Sequence, residues 1–494
     1  MIKIKTKFSL LVFCLIILLP VVLAANNIAI SNPGLTAAVP ADKYVMVRFN
    51  LSWDNSWRAS SAPSNWDAAW VFVKYRVDSG DWQHATLHSS GHSGGTGTST
   101  TVTPAADGTG AFIYRDSVGS GTFSITGAQL RWNYGVNGVA DNATVDIRVF
   151  AVEMVYVPEG AFALGSGGTE YGAFYMYPTT TNTYLVSSEA GITVGANAGN
   201  LYYPTATYSG DQTGPVPAAF PKGYNAFYCM KYEISQQQYV DFLNSLTSTQ
   251  ASNRYSSASS GYRYGISVSS GVYSTSNPYV ACNFLTWMDG AAYSDWAGLR
   301  PMTELEYEKA CRGTLTPVAN EYAWGTVTIT GSVYTLSNAG ANNEGIATNY
   351  SSGAGNASYW STGNPINGPM RVGIFAANSL NTGRITAGAS YFGIMELSGN
   401  LWEQSVTIGN ATGRGFTGLH GNGALSAAGY ANVTAWPGLT GDEVTGADGE
   451  GFRGGMWNYA ATCVRVSDRI FAAIPGATRS ENFGFRAVRS GPAY

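Results

Sequence analysis

The sequence predicts an all-β sandwich followed by a loop-rich α+β domain. Three observations carry this expectation. Residues 26–152 are dominated by short runs that alternate apolar and polar side chains, the period of a half-buried strand. From Met154 onward, helix-capping signals and apolar stripes of helical spacing appear among short strands. The chain is also poor in charge, with 12% charged residues against roughly 25% in an average globular protein, yet it carries 60 Gly and 31 Tyr. That composition describes an aromatic, uncharged surface with much loop. A length of 494 residues allows about three ordinary domains and a sizeable core.

In chain order, residues 1–25 read as a cleavable secretory signal. Lys3, Lys5 and Lys7 precede an apolar run, and Val22 and Ala24 supply small residues for cleavage near Ala24 or Ala25. The run from Phe8 to Leu23 is shorter than the roughly 20 residues a membrane span needs, and no second such run follows. Cys14 lies in the middle of the run, which disfavours a lipid anchor. The mature chain is therefore expected in an exported compartment: secreted, periplasmic or at the cell surface.

Residues 26–152 form the expected sandwich. KYVMVRFNLSW, AAWVFVKYRV, GTFSIT and ATVDIRVFAVEMVYV read as its strands, separated by Gly, Ser, Asp and Asn clusters. HSSGHSGGTGTSTTVTPAADGTG reads as a long loop or hairpin tip. His84, His88 and His92 recur at intervals of four, a spacing that would line up metal ligands on a helix. The Gly, Ser and Thr around them oppose a helix, so solvated loop histidines are the simpler expectation.

Residues 153–494 form the expected α+β domain. EISQQQYVDFLNSL carries a capping box, Ser235 with Gln238, and an apolar stripe of Tyr239, Phe242 and Leu243. RPMTELEYEKACRG repeats the box with Thr303 and Glu306, turns Tyr307 and Ala310 inward and ends at Gly313. Between them, Leu285, Met288, Ala292 and Trp296 predict a third helix. Cys229, Cys282, Cys311 and Cys463 could pair in three ways or remain small buried thiols. With 27 basic and 31 acidic residues the net charge is −4, and no block of about five like charges offers a footprint for nucleic acid or anionic lipid.

MVYVPEGAFALGS, FYCMKYEISQQQYVDFLN, LRPMTELEYEKACRG, FGIMELSGNLWEQ and RGGMWNYA through NFGFRAVR occur in this order. Together they resemble the formylglycine-generating enzyme, or sulfatase-modifying factor, family. The resemblance implies a variant of the C-type lectin fold with little regular secondary structure and commonly bound calcium. The family includes oxidases that act on a sulfatase cysteine, members that use non-haem iron, and many binding or structural modules, so fold does not fix function.

By this resemblance the oxidases bind copper(I) through two cysteines separated by four residues, as suits a soft ion. Cys463 stands at the second position, whereas Asn458 or Tyr459 occupies the first. Copper is not expected on one thiolate. An iron site of several histidines is not expected where this part of the chain holds only His420. If the chain were catalytic, Cys463 would be its centre; otherwise it is a small apolar side chain or half of a disulfide. Arg465, Asp468 and Arg486 could form a charge-assisted network tying the terminal segment to the core.

The segment MELSGNLWEQ resembles the family's calcium loop. The resemblance implies side-chain oxygens from Glu396 and Glu403 and carbonyls from Gly399 and Leu401, a hard donor set. Asn338 and Ala339, with Asn364 and Ile366, are the equivalents for a second calcium loop. Tyr430, Trp457, Tyr459 and Phe471 are the expected ligand-facing aromatics, since such rings give large contact area at little entropic cost. The sequence thus predicts an exported, non-catalytic binding or structural protein whose partner is an extracellular protein or a glycan. The alternative is an oxygen- and copper-dependent oxidase of a sulfatase cysteine.

Overall fold

Alternation builds the N-terminal strands. In β2 (Val45–Arg58), Val45, Val47, Phe49, Leu51 and Trp53 turn to one side and are buried, while Met46, Arg48, Asn50 and Ser52 turn to the other. The structure, a computed structural model, describes residues 27–492 apart from 205–207, 258–260, 332, 348–352, 362–364, 379 and 382. The expected signal segment and Asn364 lie outside the described residues. Strands β1 (Ala29–Leu35), β2, β8 (Gly119–Trp132) and β5 (Thr96–Gly97) make one antiparallel sheet in the order β1-β2-β8-β5. Strands β3 (Asp67–Val77), β4 (Gln83–His84), β6 (Thr100–Pro104), β7 (Ala111–Arg115) and β9 (Val145–Val157) belong to a second.

That second sheet does not stop at the N-terminal strands. Its order runs from Arg300–Pro301 through Ala487–Ser490, Phe227–Met230, β9, β3 and β7 to β6, with β4 on β3. Strand β9 is the join: Val145–Val155 pairs with β3, and Met154–Val157 pairs with Phe227–Met230. The strand therefore runs without a break across residues 152 and 153, where the composition changes.

Strand β3 is covered on both faces, with every residue from Asp67 to Tyr75 buried. Ala69, Val71, Val73 and Tyr75 share a core with β2 and β8. Ala68, Trp70 and Phe72 share the other core with Tyr228, Trp296 and the helices. A buried side chain such as Phe72 contributes about 1.5–3 kcal/mol. Polar contacts reinforce the same face: Trp70 Nε1 donates to the Ala297 carbonyl at 2.8 Å, and Lys74 Nζ to that of Gly423 at 2.7 Å.

The helices begin where capping chemistry places them. Helix α1 (Gln236–Leu243) and helix α4 (Glu304–Arg312) carry the capping boxes of Ser235 with Gln238 and Thr303 with Glu306. Gly313 ends α4 at φ +67°, and Tyr307 and Ala310 are buried as expected. Helix α3 (Trp287–Trp296) starts after Leu285, with Thr286 and Asp289 as its box. Helix α2 (Ser248–Arg254) was not expected, because STQASNR has no apolar stripe, although Thr247 and Gln250 cap it in the same way. Among the described residues no helix is long and apolar enough to cross a membrane.

Candidate functional site

Helix α4 organises the C-terminal segment through charge. Glu304 accepts from Arg453 Nη1 at 3.0 Å and Arg469 Nε at 2.7 Å, and Glu308 accepts from Arg453 Nη2 at 2.7 Å. Arg312 joins through Glu308 at 3.1 Å and through Glu321. These groups are all withdrawn from solvent, so each charge is held by its partner rather than by water. The strand Glu450–Arg453 also pairs with Trp402–Val406, which pairs in parallel with Phe483–Gly484. Gly454 and Gly455, at φ +84° and +72°, then turn the chain. A side chain at 455 would strike Val464.

The turn leads to Cys463 on a short 3-10 helix, Ala461–Val464. Its thiol packs with Trp402, Phe452 and Met456, flanked by the partly buried Tyr459, Ile470, Phe471 and Phe483. Burial, and then the nearby Asp468, push it up to about 11. All four described cysteines are free and buried. Cys229 and Cys311 lie together in another apolar cluster and Cys282 in the main core, so Cys463 has no thiol neighbour among the described residues. Asn458 is exposed.

Of the expected ligand-facing aromatics, Tyr459 and Phe471 meet here, 5.8 Å apart edge to face, each beside Trp402. Trp457 instead is 6% exposed, packs with Tyr232 and Leu401, and donates to the Glu481 carbonyl at 3.3 Å. Tyr430 is half-buried beneath Arg254, 4.2 Å from its guanidinium. Two aromatic residues that the sequence does not single out border the cluster, one by its ring and one by its backbone. Tyr208, 46% exposed, lies 5.9 Å from Phe471, and the backbone N–H of Trp360, 56% exposed, donates to the Tyr459 carbonyl at 2.9 Å. Nothing local in the sequence marks them, because long-range chain reversal brings them in.

The expected trio of Arg465, Asp468 and Arg486 divides among other partners. Asp468 accepts from the backbone N–H groups of Tyr171 at 3.4 Å and Ile470 at 3.1 Å. Arg465 reaches Asn320 at 3.0 Å. Arg486 binds Glu403 at 2.7 Å and donates to the carbonyls of Met230 and Met395, each at 2.8 Å.

That last pair opens the Glu396–Glu403 loop. Glu396 Oε1 accepts from Gly373 N at 2.8 Å, whereas Glu396 Oε2 and Glu403 Oε2 are buried without a hydrogen-bond partner. Burial pushes the Glu396 carboxyl up to about 7, against the pull of Arg486. A third acid, Glu233, was not singled out from sequence. It accepts from Leu401 N at 2.9 Å and from the Asn400 amide, and burial followed by Glu403 raises it well above the carboxylate range. Gly399, at φ +89°, leaves no room for a side chain beside the Ser358 carbonyl, and its N–H donates to Gly454 at 2.8 Å. Trp457 N donates to the Asn400 carbonyl at 2.8 Å. The acidic loop and the glycine turn before Cys463 are thus one braced unit.

The second loop is looser. Asn338 and Ala339 are exposed in the turn between Leu336–Ser337 and Gly345–Ile346, and Ile366 packs beside Tyr334 and Met370. Its buried carboxylate is Glu344, which already accepts from Arg263, Gly340 N and Arg371 N. The N-terminal histidines go separate ways. His84 is half-buried beside Phe72 with Nε2 on the Thr109 carbonyl at 2.6 Å, while His92 Nε2 lies 2.7 Å from the His88 carbonyl. Among the described residues no group of three or more His, Cys, Asp or Glu side chains is placed to hold a metal ion, so a cation at Glu396 and Glu403 needs carbonyl donors as well.

Residues 148–491 match the family described as the sulfatase-modifying factor enzyme 1-like domain. No curated protein matches the chain.

Proposed function

The chain belongs to the sulfatase-modifying factor enzyme 1-like domain family, and from that membership we propose that it is an exported, non-catalytic binding or structural protein. In this reading the C-terminal part of the chain forms a C-type-lectin-like scaffold that shares β9 and its sheet with a sandwich built from the N-terminal strands. One observation carries it. The thiol at the place of the family's chemistry is solitary, buried and pushed up to about 11, while half-buried aromatic rings gather over it. A thiol in that state is overwhelmingly protonated at neutral pH and is a poor nucleophile and metal ligand. Tyr459 and Phe471, with Tyr208 at the rim, supply flat apolar area suited to a glycan or a protein surface.

A structural calcium ion completes the proposal. The two buried carboxylate oxygens without partners, Glu396 Oε2 and Glu403 Oε2, are the donor type calcium takes, and the Gly399 and Leu401 carbonyls would add to them. The ion would hold the loop shape that braces the glycine turn. Asn338, Ala339 and Ile366 are weaker candidates, because the carboxylate of their loop is already engaged.

Copper(I) titration of the reduced protein, together with assay of a peptide carrying the sulfatase cysteine motif, tests the non-catalytic reading. Neither stoichiometric binding nor turnover is expected. Binding that disappears in Cys463→Ser, accompanied by turnover, would establish the oxidase instead. A glycan and surface-protein screen should return a ligand whose affinity falls in Tyr459→Ala and Phe471→Ala.

A further inference from the structure

A groove of about 610 Å³ lies on another part of the molecule, between the N-terminal strands and the C-terminal loops. Trp57 from β2, Tyr232, Tyr391 and Phe392 are among the residues that line it. This size and position, at a junction between layers, suit a small ligand. The charged residues lining it are both cations, Lys231 and Arg384.

The two cations differ. Lys231 is answered from below by Glu153 at 2.5 Å and Asp67 at 3.7 Å. Arg384 has no carboxylate within ion-pair distance among the described residues. Its Nη2 donates to the Ala323 carbonyl at 2.8 Å, and its Nε is buried without a hydrogen-bond partner. A buried donor left unsatisfied costs about 1–3 kcal/mol, and more when it is charged. The guanidinium is fixed in place by its backbone contact and lies 5.5 Å from the Tyr391 ring. Its Nη1 makes no hydrogen bond among the described residues and is the donor left for an anion.

We propose that this groove binds a carboxylate carried on a six-membered ring, the ring packing on the aromatic residues that line it and the carboxylate on Arg384. Such a ligand is an acidic sugar or an aromatic acid, which share the same recognition chemistry. The site is independent of the surface around Cys463, so each can fail without the other.

Calorimetry on the full mature chain with sodium glucuronate and sodium benzoate, against glucose and benzyl alcohol as neutral analogues, tests it. At least one acid should bind with unit stoichiometry, about tenfold or more tighter than its neutral analogue. Which acid binds identifies the source. Arg384→Gln should remove that preference. Arg384→Lys, which keeps a cation able to reach Ala323 but lacks a second terminal nitrogen, should weaken the acid while sparing the neutral compound, with thermal melting confirming the fold. Cys463→Ala should change nothing. Absence of binding by both acids at millimolar concentration, equal binding of acid and neutral analogue, or undiminished acid binding in Arg384→Lys would overturn the proposal.

Discussion

Arg453 Nη1 stands 3.0 Å from Glu304 Oε2, and neither side chain has any exposure to solvent. The pair fastens the segment before Cys463 to α4. Glu304→Gln should therefore cost about 3–5 kcal/mol in denaturant unfolding, because Arg453 and Arg469 lose their shared carboxylate while still buried. Burial alone pushes the Glu304 carboxyl up, but Arg469 and then Arg453 outweigh it and hold it below its ordinary value of 4.5. A carboxyl held down in this way contributes stability above about pH 4.5 that is lost as pH falls through the folded value. The wild type should weaken over that range and Glu304→Gln should weaken less; equal acid sensitivity in both would remove the pair from the account.

Calcium should raise the melting temperature, by an amount equivalent to about 2.7 kcal/mol at a hundredfold excess over its Kd. Glu403→Ala should abolish the rise. The Glu396 carboxyl, pushed from 4.5 to about 7 by burial, disfavours its own ionised form in the folded state. Without calcium, its contribution is fully present below pH 4.5 and is lost as pH rises through about 7. The stabilisation by calcium should accordingly grow with pH across that window. A flat response to pH would show that Glu396 is not a ligand.

Cys463 should alkylate slowly in the native protein at neutral pH and progressively faster toward about pH 11. Mass spectrometry of iodoacetamide-treated protein reads the site directly. Rapid labelling at pH 7 would mean an activated thiol and would revive a catalytic role.

Gly290→Ala should destabilise, although alanine is the better helix former by about 1 kcal/mol. A methyl at 290 would enter the ring of Phe485, which is itself fully buried. Overpacking of this kind costs about 1–3 kcal/mol, so steric conflict outweighs propensity. A melting temperature at or above wild type would show that Phe485 can move.

Residues 148–491 expressed alone should not melt cooperatively, even though they span the family match. Removing β3 would strip the covering from Val152 and Met154 and leave β9 as an open edge. A sharp thermal transition in this fragment would contradict the dependence.

Local signals were legible and long-range ones were not. The capping boxes at Ser235 and Thr303 read correctly because three residues suffice to define them, and the same box at Thr247 passed unnoticed only for want of an apolar stripe. AAWVFVKY showed its double burial in a nearly unbroken apolar run, the pattern of a strand covered on both faces. Strand patterning alone assigns the segment to one layer of a separate sandwich, because the partner strand Phe227–Met230 on the far side of β9 is remote in sequence. Glu396 and Glu403 lie in one short motif, but Glu233, distant in sequence, reaches the loop only in three dimensions. Trp457 and Tyr459 are near neighbours of the same chemical class, yet one is buried in a core and the other borders a surface cluster. Composition cannot separate them, since exposure belongs to the fold.

The double pairing of β9 bears on how such a chain can change over generations. Inserting or deleting one residue within this strand would exchange the side chains facing its two cores, because successive residues point to opposite sides. Recombination that grafts a different N-terminal half must therefore splice before Val145, bringing a strand that accepts β9 as it stands, or beyond Val157, replacing the strand entire. The most heritable boundary in this protein is set by a strand's ends and not by the residue where its composition turns.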